Sequence, residues 1–305
     1  MLWQGVFDLA DFSVGLPYSL SALFILGCHE FGHYFAARHH KVRATLPYFI
    51  PLPPLPAIIN FGTLGAVIRT KEPIPHRTAL FDIGIAGPIA GFVASVLVLI
   101  AGFMTLPGPD FLLAIHPDFD FSSGSSPGGE VGWTLTFGAP LLYSALETLF
   151  SKPGAFVPPM TEMYHYPFLI TGWFGLLVTA LNLLPAGQLD GGHITYAMFG
   201  EKQHHVGRLT VIVLSVFGGM GLLPALLDYL GMTEVALAIM DAFPHFEATF
   251  WPGWLFWAFL ILVFVKVKHP EVQEFAGLGS RRRSLGWFSY TLFFLCMTPA
   301  PIYIQ

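Results

Sequence analysis

Long apolar runs broken by short polar clusters dominate the chain, and several approach the roughly 20 residues needed to cross a bilayer as a helix. Six stretches show this pattern, at 17–37, 78–106, 166–199, 207–230, 251–267 and 285–304. The stretch 131–150 is also apolar, but Gly138, Pro140 and Glu147 interrupt it, so it is expected to lie along a membrane surface as a helix. A shorter pattern, rich in β-branched residues and glycine, covers 57–69 and follows a proline cluster at 47–56. About a dozen residues cannot span a bilayer as a helix. That segment predicts a β-hairpin dipping back into the membrane. The Pro/Gly/Ser-rich stretch 107–129 predicts a flexible loop. The expected fold is an all-α polytopic membrane protein with about six transmembrane helices and a short membrane-reentrant β-hairpin. It forms a single integral membrane domain over 1–305.

Composition strengthens the membrane assignment, since 54% of residues are hydrophobic and only 11% charged, against about 25% charged in a soluble domain. With so few charges the net value of −5 forms no basic stripe, and no nucleic-acid partner is expected. The placement of the charges is more informative. Every Lys and Arg except Lys152 falls after the first span, around the junction of the third and fourth, or between the fifth and sixth. Basic loops stay cytoplasmic, which puts both termini outside the cytoplasm and lets six spans alternate without conflict. The first basic residue is Arg38, so no cleavable signal sequence is expected and the first helix is retained. Cys28 and Cys296 lie in apolar segments, where cysteine packs as a small hydrophobe.

Against this background the first span contains His29, Glu30 and His33. An ionisable side chain at mid-bilayer costs about 2.5–3.5 kcal/mol even on the lenient insertion scale, so three within five residues call for a chemical reason. Residues four apart share a helical face, and His29 and His33 can ligate one metal ion while Glu30 reaches a water beside it. Catalytic zinc takes three protein ligands as a rule. The candidates for a third ligand within apolar segments are Asp82, Asp190, His193 and Asp228. Asp82 and Asp228 stand near span ends, where interfacial solvation accounts for them. Asp190 follows Pro185 and Gly187 and precedes Gly191 and Gly192, residues that break the third span. Irregular backbone at membrane depth is tolerated only where it is buried in protein or lines a wet cavity.

The helix His29–Glu30–x–x–His33, together with a later Asn182–x–x–Pro185–x–x–x–Leu189–Asp190–Gly191, resembles the site-2 protease family of intramembrane zinc metalloproteases. The segments 61–68 and 84–91 are similar to that family's core as well, and the resemblance covers about 16–200. Three further helices, over about 206–305, match only in being hydrophobic. The resemblance implies one Zn2+ per chain held by His29, His33 and Asp190, with Glu30 activating the water. It implies a role for Asn182 in positioning substrate or stabilising the oxyanion. It implies a transmembrane protein or peptide substrate within the lipid bilayer. His193, one turn after Asp190, is either a fourth ligand or a residue behind the ligands. Neither a peptide-binding nor a nucleotide-sensing module is evident, which resembles the short branch of chloroplast homologues and their bacterial relatives and suggests a bacterial inner membrane. The rival readings are a membrane metal transporter, which needs ligands at several depths, and a catalytically inactive scaffold, which would lack Glu30 or a ligand.

Overall fold

The computed structural model describes residues 12–51, 63–121, 134–270, 272 and 277–304. The chain is mostly helical. In order it forms α1 (Phe12–His39), β1 (Tyr48–Pro51), β2 (Thr63–Val67), α2 (Arg77–Met104), α3 (Pro109–Ile115), β3 (Leu135–Phe137) and α4 (Leu141–Phe150). There follow α5 (Pro167–Asn182), α6 (Asp190–Phe199), α7 (Gln203–Tyr229), α8 (Thr233–Ala242), α9 (Phe246–Thr249), α10 (Gly253–Leu260), α11 (Ser280–Cys296) and β4 (Ile302–Ile304). Among the described residues, four helical stretches are long and apolar enough to cross a membrane: Ser13–His39, Arg77–Met104, Asp190–Tyr229 and Phe246–Val265.

That differs from six expected spans in instructive ways. The third expected span is two helices, α5 and α6, separated by the turn 183–189. The short helix α6 then runs through a single 3-10 turn into α7, so that Asp190–Tyr229 is one apolar stretch. The sixth expected span ends early: α11 stops at Cys296, and Pro299 and Pro301 lie beyond it. Proline lacks the N–H a helix needs, and residues 302–304 instead form a strand paired antiparallel with β3, which the apolar pattern did not predict. The stretch 131–150 does carry a helix, α4, with Tyr143 and Leu146 buried and Leu141 and Leu149 exposed. The expected loop over 107–129 contains the short helix α3, seated by the fully buried Leu112. The expected hairpin is half displaced: β2 lies inside 57–69, but its partner β1 lies upstream, in the proline cluster. The intervening residues of both segments, 52–62, fall outside those described.

Three helices form the centre. Gly175 of α5 sits where α1 and α2 cross it, and a Cβ there would stand 2.1 Å from Ser95 Oγ and 2.9 Å from Ile25 Cγ2. Close approach of this kind is how apolar helices associate where lipid removes the hydrophobic drive. A buried hydroxyl pair, Ser21 Oγ to Thr171 Oγ1 at 2.9 Å, joins α1 to α5. The widest apolar cluster, containing Leu99, Phe103, Leu169, Trp173 and Leu176, fills the half of this bundle nearer the α2 C-terminus. Outward-facing α7, α10 and the π-helical turn Ile261–Val265 that continues α10 expose Leu209, Ile212, Val216, Phe256, Phe259 and Val263. An apolar exterior of that extent fits a lipid-facing wall.

At the other end the helix termini are tied together by polar contacts. His76 caps α2 through Nδ1, accepting from the Ala79 N–H at 3.1 Å. The buried Arg77 donates to Ala197 O and to Met198 O, the carbonyls near the end of α6, where a cation complements the helix dipole. Asp82 accepts two bonds from Arg282 (2.8 and 2.7 Å) and is 2.8 Å from His40 Nε2. This network, rather than interfacial solvation alone, accounts for that aspartate.

Candidate functional site

His29 and His33 lie one turn apart on α1 and are both buried, at 4% and 7% exposure. Their imidazoles need room that most helix neighbours would deny. The facing surface of α2 supplies it: a Cβ on Gly87 would stand 2.1 Å from His33 Nε2, and one on Gly91 would stand 3.0 Å from His29 Nδ1. The small residues of α2 therefore do more than bring helices close. They hollow out the chamber in which the two rings sit.

Asp190 arrives from α6. It opens that helix after the turn 183–189, in which the Ala186 N–H bonds Leu184 O and the Leu189 N–H bonds Ala186 O. Gly187 adopts φ of +52° there, a conformation natural to glycine. Gly191 permits α6 to lie directly on the turn, since a Cβ would stand 2.1 Å from Leu183 O. The segment after α10 covers the turn: Lys266, itself at φ of +63°, leads into Val267, whose carbonyl accepts from the Gly187 N–H at 3.3 Å.

These elements bring three donor atoms together. His29 Nε2 and His33 Nε2 are 3.1 Å apart, and each is 3.3 Å from Asp190 Oδ2. His33 Nδ1 is 2.8 Å from Ile83 O. Only an N–H can face a carbonyl, so Nδ1 carries the proton and the Nε2 lone pair points into the cluster. With His29 Nε2 likewise unprotonated, two lone pairs and a carboxylate oxygen at this spacing repel one another, and a cation among them relieves that repulsion. Tetrahedral zinc with bonds of about 2.0–2.1 Å separates its ligand atoms by about 3.3–3.4 Å, and the observed spacing fits that set.

The remaining expected residues fall into place differently. Glu30 is half-buried, receives a backbone hydrogen bond from Ile68 just beyond β2, and has His33 and Asp190 as electrostatic neighbours. Asn182, the last residue of α5, has Nδ2 3.3 Å from His29 Nε2. His193 stands apart from the three donor atoms: its Nδ1 is 2.6 Å from His269 Nε2. His269 is buried, stacks on Tyr196 with ring centroids 4.5 Å apart, and donates its backbone N–H to Gln203. Burial holds the His269 imidazole below its ordinary pKa. Sequence reasoning missed His269, because nothing local marks it; a histidine immediately before Pro270 in a loop carries no motif. Asp228 accepts from Thr233 Oγ1 at 2.7 Å, a contact at the end of α7.

Comparison with known proteins identifies the family. The family model described as "Peptidase family M50" matches residues 18–227. The chain is 35% identical over 214 residues to "Probable zinc metalloprotease EGY1, chloroplastic" of Arabidopsis thaliana, covering 68% of this chain and 35% of that protein. It is 31% identical over 194 residues to "Probable zinc metalloprotease EGY2, chloroplastic" of Oryza sativa subsp. indica, covering 64% and 31%. A third relative, "Probable zinc metallopeptidase EGY3, chloroplastic" of Arabidopsis thaliana, is 30% identical over 202 residues, covering 65% and 32%. The chain thus spans about a third of the length of these relatives. No solved structure matches. Since the family match takes in more than half of the chain, from the first helix through the broken span to α7, this protein belongs to peptidase family M50, the site-2 proteases.

Proposed function

We propose that this chain is an intramembrane zinc metalloprotease that hydrolyses peptide bonds within or beside transmembrane segments of membrane-protein substrates. One observation carries the reading: His29 Nε2, His33 Nε2 and Asp190 Oδ2 converge at 3.1–3.3 Å on helices apolar enough to cross a bilayer, with Glu30 beside them. His29, His33 and Asp190 would hold one zinc ion. Zinc, when bound there, supplies a Lewis acid and lowers the pKa of water. Glu30 takes the proton from the attacking water and returns it to the leaving amine. The backbone N–H of Ile68 orients that carboxylate. Asn182 presents its amide to the same cluster and donates to the developing oxyanion.

Substrate must be unwound to reach these groups, because a helix keeps its carbonyls and amides bonded internally. The β1–β2 pair has edges with no partner strand among the described residues, and Ile68, next along from β2, contacts Glu30. Strand addition at that edge would hold a freed substrate backbone beside the base. Six crossings, with both termini on the side opposite the basic loops, is the topology that the charge distribution favours. The long apolar helices support a multi-pass membrane protein, while the named relatives are chloroplastic and lend no support to a bacterial inner membrane.

A transporter would need ligands along a path through the bilayer. Buried Leu99, Phe103, Trp173 and Leu176 instead fill the bundle beyond the histidines. The test is elemental analysis paired with cleavage of a transmembrane substrate in proteoliposomes. His29→Ala, His33→Ala and Asp190→Ala should each lower zinc by about one ion per chain and abolish cleavage. Glu30→Gln should keep the zinc and lose cleavage. Full zinc and activity in Asp190→Ala, or full activity in Glu30→Gln, would overturn the assignment.

A further inference from the structure

Among the described residues a second group of donors matches the first. His116 caps the C-terminus of α3, while Glu162 precedes and His165 ends the 3-10 turn Met163–His165 that leads into α5. His116 Nε2 and His165 Nε2 are 3.0 Å apart, and they stand 3.5 and 3.4 Å from Glu162 Oε2. The ring centroids are 5.1 Å apart at 60°, against 4.8 Å and 72° for His29 and His33. The donor set, two imidazoles and one carboxylate, is also the same. Residues three apart eclipse on a 3-10 turn, which is why Glu162 and His165 point the same way.

From this convergence we propose that His116, Glu162 and His165 form a second metal site, structural in role, which takes a divalent transition ion of the zinc class. The carboxylate is the decisive group. Glu162 is 6% exposed, and its Oε2 has no hydrogen-bond partner. A buried carboxylate without compensation is costly, and the ion pairs described for it involve only these two histidines. One imidazole can donate to the other across 3.0 Å, but that leaves Oε2 still without a donor. A single dication among the three atoms satisfies the carboxylate and both lone pairs together. Two imidazoles with one carboxylate form a set that zinc accepts in tetrahedral geometry, with a fourth position for water.

The site is separate from the first one. His165 precedes α5 and Asn182 ends it, so the two clusters lie roughly 25 Å apart at 1.5 Å per residue. Its consequence is a clip across a separation of 49 residues in sequence, fastening the end of α3 to the start of α5. Closing a long loop in this way removes conformational freedom from the unfolded chain.

The experiment uses the full chain in detergent, dialysed against metal-free buffer, with zinc counted by elemental analysis. Wild type should hold about two ions per chain, whereas Glu162→Gln and Asp190→Ala should each hold one. The double variant Asp190→Ala with Glu162→Gln should hold none. His165→Ala provides a second route to the same loss should the glutamine still ligate. In the Asp190→Ala background, added zinc should raise the thermal unfolding midpoint, and Glu162→Gln should remove that rise. The proposal is overturned if wild type holds a single ion that Glu162→Gln leaves in place, or if zinc does not stabilise the Asp190→Ala protein. Failure of the first site would leave this result intact, since the Asp190→Ala background reads the second cluster alone.

Discussion

Substituting Gly87 by alanine tests whether the hollow in α2 is what lets His33 reach the metal position. The added Cβ would stand 2.1 Å from His33 Nε2, 2.4 Å from Cε1 and 2.5 Å from Cδ2, so it strikes the ring face and not a flexible tip. Ordinary contact begins at 3.4 Å, so the ring must retreat by about 1.3 Å, the difference between 3.4 and 2.1. Metal–ligand distances tolerate about 0.2 Å. His33 also cannot slide freely, because Nδ1 is held by Ile83 O at 2.8 Å. Gly87→Ala should therefore lose zinc at this site as completely as His33→Ala does. The fold should pay only the usual overpacking cost of about 1–3 kcal/mol. Gly91→Ala is the graded control: its Cβ would stand 3.0 Å from His29 Nδ1, a shortfall of about 0.4 Å from 3.4 Å, and should weaken zinc without abolishing it. Zinc is best counted in a Glu162→Gln background, so that the second cluster does not contribute, and thermal unfolding confirms that each variant is folded. A Gly87→Ala protein that keeps its zinc and cleaves substrate normally would refute the placement of the ring.

Asp82→Asn should lower stability by about 1 kcal/mol, a discounted figure because Asp82 and Arg282 are both part-exposed; the unfolding midpoint should fall while zinc content and cleavage remain. In a Cys-free background, single cysteines at Ser144 and Ser280, both exposed, should label from opposite sides of the membrane; labelling from one side would remove the charge-based topology. Substrates with helix-breaking residues near the cut should be cleaved faster than all-leucine helices, and equal rates would count against strand addition. Neighbouring residues of a strand direct their N–H groups to opposite edges, so one of Ala66→Pro and Val67→Pro should spare the β1–β2 ladder while impairing cleavage. Indistinguishable cleavage by both variants and wild type would end that idea.

The ligand-bearing residues were legible because each violates its surroundings. His29, Glu30, His33 and Asp190 are polar at positions where lipid and packing ask for apolar side chains, and the glycine-rich break before Asp190 signals irregular backbone. All four are brought to one place, as are Gly87 and Gly91 facing the rings. Span boundaries were less legible, because hydropathy reports an average over a window and cannot see a seven-residue turn in an otherwise apolar stretch. Averaging likewise hid β4, whose apolar residues read as the end of a helix that Pro299 and Pro301 forbid. The second cluster was invisible for a different reason. His116 and His165 are far apart in sequence, and Glu162 with His165 sits in a short turn outside any long apolar helix, where a polar pair does not stand out. Only the contact between α3 and the turn before α5 brings them together.

The break in the third span has a physical consequence for the carboxylate it precedes. A carboxylate in the middle of an unbroken helix would have no orphan N–H nearby, because every amide is already bonded to the carbonyl four residues back. Asp190 is instead the first residue of α6, where the initial N–H groups lack intrahelical partners and the macrodipole is positive. Starting a new helix at that depth supplies an electrostatic environment that favours the anion before any metal arrives. Gly187, Gly191 and the covering carbonyl of Val267 then let this helix begin in contact with the end of the previous one. A continuous span could carry the two histidines, as α1 does, because a neutral imidazole is tolerable there. The aspartate is what requires the interruption, and so the helix is continuous where it presents His29 and His33 and broken where it presents Asp190.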